Sequence, residues 1–346
     1  MKNAKRNIDV EKKYDLTHQN SSAEVRSRFS RSHIENLRNE QAKRLAPFEG
    51  SFEAIHKQTK CAMNEILNKD FEERMSKRRK ISELSTALFK PLADIIQSQP
   101  DYKKITDALK KERDSISLKT INRKQNPLGT SFDIMDGSFD FVPSGFLEGN
   151  YLDIIGHPYA DVWTSPENHY TLEIWADKNT GKFRNYIHVE SWESTFGGSG
   201  IFMHYVPSAE LSMMQIRPYM WYNISYILEA GLAEGTSHVD GYFGLFVWSF
   251  DKNGNDQRIE QQYEPQYCSD GVDFWSPWES DYLEGLAFRD DTLPNTFLVE
   301  SERIYTICVF SKATCDSGVF SWIDINAEVP LVVIAGFKKP VTPPLH

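Results

Sequence analysis

The residues best able to do chemistry sit in the C-terminal two-thirds of the chain, as two histidine–carboxylate pairs and one acidic stretch rich in tryptophan. His188 and Glu190 stand two apart in YIHVES, and His238 and Asp240 two apart in HVD. In a strand each pair shares a face. An H-x-D on a β-sandwich suggests the two-histidine-one-carboxylate iron site, yet after His238 only the terminal His346 could complete it. His204 lies in the next apolar run and could join only with a different strand order. These side chains therefore read as sheet histidines satisfied by hydrogen bonds, and neither a metal nor another cofactor is expected. DKNGND at 251–256 spaces its Asp and Asn like a calcium loop, but an EF-hand wants glycine in place of Asp256 and glutamate in place of Gln262. A hairpin turn accounts for the same residues.

In DGVDFWSPWESDYLEG, Asp273 and Glu279 flank Trp275 and Trp278, and Tyr282 follows. Planar rings stack on the face of a sugar while carboxylates accept its hydroxyl protons. Asp273, Trp275, Trp278, Glu279 and Tyr282 are therefore the candidate ligand-binding residues. Tryptophans that simply plug one end of a sandwich would look the same. The sequence holds no G-x-S-x-G, no phosphate-binding loop and no glycine-rich turn from strand to helix, so no catalytic residue is identified.

These residues need a scaffold, and the composition shows where it divides. Residues 1–125 carry 28 Lys+Arg against 18 Asp+Glu, a net +10, and residues 126–346 carry 11 against 31, a net −20. All 8 Trp lie between Trp163 and Trp322. Both shifts meet near residue 125. The expected plan is a tail at 1–20, a helical domain at 21–125, an antiparallel β-sandwich domain at 126–338 and a tail at 339–346, an α+β chain with a jelly-roll-like second part.

Helical spacing is clear after a break at Pro47 and Gly50, with Phe52, Ile55, Thr59, Ala62, Met63, Ile66, Leu67, Phe71 and Met75 on one broad face. Earlier, Val25, Phe29, His33 and Leu37 recur every four residues, and Ile34, Gln41 and Leu45 continue a neighbouring stripe. The helices must cover their apolar faces in a small bundle, in a stalk against sister chains, or as a saddle on the β-domain. The basic RMSKRRK at 74–80 points less to nucleic acid than to docking on an acidic β-domain, since no nucleic-acid module surrounds it.

Beyond residue 125, short alternating runs are separated by turn residues. Three hairpins are expected, around KNTG, DKNGND and CDSG, with AELSMMQIRPYMWYNISYILEAGL as a strand and VPLVVIAGF as the last strand. Cys61, Cys268, Cys308 and Cys315 form no CxxC pair and read as reduced thiols, a Cys308–Cys315 bridge across the third hairpin being the one alternative. The N-terminus has no signal-peptide core and no apolar run reaches the ~20 residues that span a bilayer, so a cytoplasmic protein without a transmembrane segment is expected, with export by a non-classical route left open.

The function these features point to is non-enzymatic binding or assembly. The helical region would self-associate or meet a partner protein, and the aromatic, acidic β-domain would recognise a glycan or a protein. A carbohydrate-active enzyme using Asp273 and Glu279 is the first alternative, and a membrane-acting toxin or effector the second.

Overall fold

The computed structural model describes residues 31–104, 107–108, 111, 151–166, 171–190, 193–230, 236–272, 278–288 and 297–338. The composition boundary near residue 125, both expected tails, Val25 and Phe29 lie outside these residues. Helix α1 (Arg31–Leu45) leads through a 3-10 turn (Ala46–Ser51), at the expected Pro47–Gly50 break, into α2 (Phe52–Gln97). Pro91 does not end α2. A proline inside a helix orphans the carbonyl four residues back, and here Ala87 and Pro91 are both exposed, so water can serve that group.

The rest is a two-layer antiparallel sandwich. One sheet contains β1 (Tyr151–Gly156), β3 (Thr171–Asp177), β4 (Lys182–Glu190), β6 (Leu211–Glu229), β10 (Trp278–Ala287), β11 (Phe297–Leu298) and β13 (Phe320–Lys338). The other contains β2 (Asp161–Thr164), β5 (Glu193–Tyr205), β7 (Ser237–Phe250), β8 (Arg258–Tyr263), β9 (Gln266–Val272) and β12 (Ile304–Ser317). The first sheet runs β10-β6-β13-β4-β3, and the second β2-β5-β12-β7-β8.

Two expected hairpins are present, β3–β4 and β7–β8. The turn between β7 and β8 is built on Asp251, whose Oδ1 accepts the N–H of Asn253 at 2.9 Å and of Asn255 at 2.8 Å. The third hairpin is not. Strand β12 already pairs with β5 and β7, so β13 crosses to the other sheet and pairs with β4, β6 and β1. Cys308 and Cys315 stand on one strand, seven residues apart, about 23 Å along it, beyond the reach of a disulfide. Both are buried free thiols, one on each face of the sheet.

Proline is accommodated inside two long strands. Pro330 lies in a bulge of β13, between Glu328 and Leu331, where a missing N–H costs no ladder bond. Pro218 of β6 falls in the gap between the stretches paired with β11 and β10.

The helices form the saddle. Of the expected face, Ile55, Thr59, Met63, Leu67, Phe71 and Met75 are buried and Phe52, Ala62 and Ile66 partly so, and Ile55, Met63 and Leu67 share a core with Trp163, Phe202, Phe246, Trp248, Phe250 and Phe310 from the outer face of the six-stranded sheet. Each such apolar side chain contributes about 2 kcal/mol. Polar contacts set the register. Arg44, in the last turn of α1, reaches buried Asp153 at 2.5 Å, Asn64 accepts the indole N–H of Trp163 at 2.9 Å, and Gln58 donates to the Gly254 carbonyl at 2.8 Å. Gly254 has φ +77°, and a Cβ there would press on Ser51 and Ile55. The basic run lands on the HVD motif: Arg78 meets buried Asp240 at 2.6 Å, and Gln266, Ser269 and Thr314 donate to the same carboxylate. Among the described residues no helix is long and apolar enough to cross a membrane.

Arg78→Ala should destabilise the fold by about 3 kcal/mol in urea unfolding, because Asp240 loses its counter-charge while staying buried. A chain beginning at residue 126 should bind a hydrophobic dye and self-associate, because Trp248, Phe250 and Phe310 would face water.

Candidate ligand-binding face

The outer face of the seven-stranded sheet is built differently from that of its partner. Burial along β4 alternates strictly, with Phe183, Ile187 and Val189 entering the inter-sheet core and Arg184, Tyr186 and His188 on the other side. No helix described here covers that side. Its residues fall into rows that cross the sheet. One row is Glu284, Asn223, Asn326, Arg184 and Trp175, on β10, β6, β13, β4 and β3. The next is Tyr282, Ser225, Asp324, Tyr186 and Glu173. Trp221 stands two residues before Asn223 and so on the same face.

The centre is polar and tied together. Arg184 donates to Asp324 through Nε at 3.0 Å and Nη2 at 2.9 Å, and its third nitrogen reaches Glu173. Burial pulls the Arg184 guanidinium toward losing its proton, but these two carboxylates outweigh it and hold its pKa above the ordinary value. Its charge lies over the Tyr186 ring, 5.4 Å from the centroid. Asn326 donates to Asn223 at 3.2 Å and to Asp324 at 3.0 Å. Tyr186 meets Trp322 edge to face at 88°. Such forks and T-contacts lock rotamers, so the polar groups are held in place before any ligand arrives.

The rim is aromatic. Trp175 is 37% exposed, Trp221 38% and Tyr282 43%. The Trp175 indole is oriented by Glu173 at 2.9 Å and the Tyr282 hydroxyl by Glu284 at 2.9 Å. Strands lie about 4.8 Å apart, which puts Trp175 on β3 and Tyr282 on β10 about 19 Å apart across the sheet. Rigid apolar plates around fixed amides and carboxylates suit a ligand with flat apolar faces and hydroxyl edges.

Of the five candidate residues from the sequence, Tyr282 is on this face. Glu279, three residues earlier on β10, falls on the opposite side, opposite Leu228 in the ladder. There burial, with help from Asp270 and Asp281, pushes its carboxyl pKa up. Trp278 begins β10 opposite Glu229, and its side chain lies outside the described residues, as do Asp273 and Trp275. Trp175, Trp221, Asn223, Arg184, Asp324 and Asn326 were not singled out from sequence. The signal for them was the two-residue period in MWYNISY and WIDINAE, which sets Trp221, Asn223 and Ser225, and Asp324, Asn326 and Glu328, on one side of their strands.

The histidine pairs serve separate places. His188 is on β4, His204 on β5 and His238 on β7, and among the described residues no group of three metal-ligating side chains converges.

No family profile matches the chain, and no curated protein matches it. Among solved structures it is similar to TmCBM61 in complex with β-1,4-galactotriose, at 11% identity over 56% of this chain and 91% of that one, with a TM-score of 0.16. It is also similar to a family 11 carbohydrate-binding module from Clostridium thermocellum, at 9% identity over 56% and 95%, with a TM-score of 0.16. A third likeness, to the CBM22-1-GH10 modules of a Clostridium thermocellum xylanase, has 14% identity over 50% and 29% and a TM-score of 0.14. Likenesses this slight carry no argument about function.

Proposed function

We propose that this chain is a non-catalytic binding protein whose outer face on the seven-stranded sheet takes up an uncharged oligosaccharide. The carrying observation is the frame of half-exposed Trp175, Trp221 and Tyr282 around the row of Glu284, Asn223, Asn326 and Arg184. A protein-binding patch has its apolar residues at the centre and its polar ones at the rim. Here the order is inverted, as a hydroxylated ligand lying on ring faces requires. The Asp and Glu excess of residues 126–346 disfavours phosphate and other anions, nucleic acid included.

The assembly half of the proposal falls to α2 beyond Arg78. There Leu84 is 66% exposed and Ile95 60% exposed, eleven residues or about three turns apart and so on one side of the helix. That side is available to a second copy or a partner protein.

Titration calorimetry against a panel of neutral oligosaccharides should find a binder, and Trp175→Ala or Trp221→Ala should each weaken it about tenfold or more, as losing a stacked ring of 1–2 kcal/mol does. Both variants should melt close to the wild type because the rings are part-exposed. Absence of binding across the panel, or loss of binding only in step with melting, would overturn the proposal. In light scattering, Leu84→Glu with Ile95→Glu should turn an oligomer into a monomer, and a wild-type monomer would end the assembly half.

A further inference from the structure

One polar chain links the helical layer to the six-stranded sheet. His56, near the start of α2, meets His204 of β5 with Nε2 to Nε2 at 2.7 Å. The ring planes are 12° apart and the centroids 4.7 Å apart, so the imidazoles lie nearly parallel and meet nitrogen to nitrogen with one proton between them. Beyond His204, Nδ1 is 3.1 Å from Thr306 Oγ1. Beyond His56, Nδ1 is 3.4 Å from Asp161 Oδ2. An ionised carboxylate only accepts, so neutral His56 carries its proton on Nδ1 and accepts at Nε2 from His204, whose own Nδ1 accepts from the Thr306 hydroxyl.

This chain has room for one more proton. The first can be taken up on His56 if the His204 tautomer reverses and donates to Thr306. A second would set two N–H groups against each other at the 2.7 Å contact, which must then open. Both helices bear on that contact. Phe52 packs on the His204 ring at 4.6 Å, and Gln41 donates to the His204 carbonyl at 3.3 Å. Asp161 favours charge on the pair, whereas Lys60, paired with Asp161 at 2.6 Å, and Lys178 oppose it. Arg38 and His157 line, with His204, a cleft of about 290 Å³ at the same seam, which adds two more basic groups.

We propose that the His56–His204 contact is an acid-sensitive latch, which on protonation releases residues 38–63 from the six-stranded sheet while the sandwich stays paired. The direction follows from linkage. Burial lowers the His204 pKa to about 3, with His56 adding to the effect, and burial also lowers that of His56. The docked state thus binds fewer protons than the undocked one as pH falls below about 6.5, and it loses stability from there down toward about 3.

Hydrogen exchange on the full chain between about pH 7.5 and pH 4.5, corrected for intrinsic rates, tests this. Protection in residues 38–63 should fall by about tenfold or more while β12 and β13 hold. His56→Gln, which keeps an amide in reach and cannot titrate, should flatten the response. Unchanged protection in the wild type, or an equal loss in His56→Gln, would overturn the latch. If His56→Gln undocks at neutral pH, imidazole NMR on the wild type decides. Rings that titrate in step with the loss of protection support the proposal, and rings that titrate independently with the helices still docked overturn it.

Discussion

The six-stranded sheet is buried on both faces, and most of the molecule follows from that. Its inner face packs on the seven-stranded sheet, and its outer face on α2 and the 3-10 turn. A strand with no solvent side has no reason to alternate, and β7 and β12 are buried along nearly their whole length. Charged residues on this outer face must then find partners beneath the helix. Lys312, fully buried, meets Glu264 at 2.6 Å and lies 4.7 Å from the Tyr242 ring centroid. Arg74 of α2 lies on the same ring, at 4.6 Å. Arg78 and Asp240 continue the series. The helical layer is therefore the second wall of a shared core, held by aromatic burial and positioned by ion pairs.

That arrangement leaves the seven-stranded sheet with the only broad sheet face not covered by a described helix. Its two central strands, β6 and β13, are 19 residues each and pair along nearly their full length. Side chains standing on such a platform keep their spacing, because moving one row means breaking ladder bonds in two strands. Fixed aromatic plates and pre-tied amides spare a ligand the entropy of ordering them. The two outer faces of the sandwich thus differ: one is closed by helices and supports the fold, and the other, which no described helix covers, carries polar groups between rings.

The seam between helix and sheet is also where buried titratable groups gather. Asp153, Asp240, His204 and Lys312 are all buried beside residues of α1, α2 or their close neighbours. Buried charge is tolerated there because each group has a partner, from the helical layer for Asp153, Asp240 and His204 and from Glu264 of the β-domain itself for Lys312. The His56–His204 pair differs from the ion pairs in that two imidazoles face each other with one proton between them and no fixed counter-charge at the contact.

Local pattern alone determined the succession of a helical region and an antiparallel sandwich, the apolar face between Phe52 and Met75, and the hairpins around KNTG and DKNGND, and it left docking on the β-domain as one of three ways to cover that face. These depend on side-chain periods of two or 3.6 residues and on turn chemistry, which neighbouring residues carry. Even the difference between the two outer faces was partly legible: KFRNYIHVE alternates, whereas GYFGLFVWSF does not. Tertiary structure decided the rest. CDSG resembles a hairpin turn, but β12 had both edges occupied, so the chain changed sheets there. Trp175, Trp221 and Tyr282 come from β3, β6 and β10, and His56 meets His204 across 148 residues of sequence. Strand order sets those neighbours, and strand order is chosen by burying both faces of one sheet at once, a condition on the whole chain that no short stretch of sequence can express.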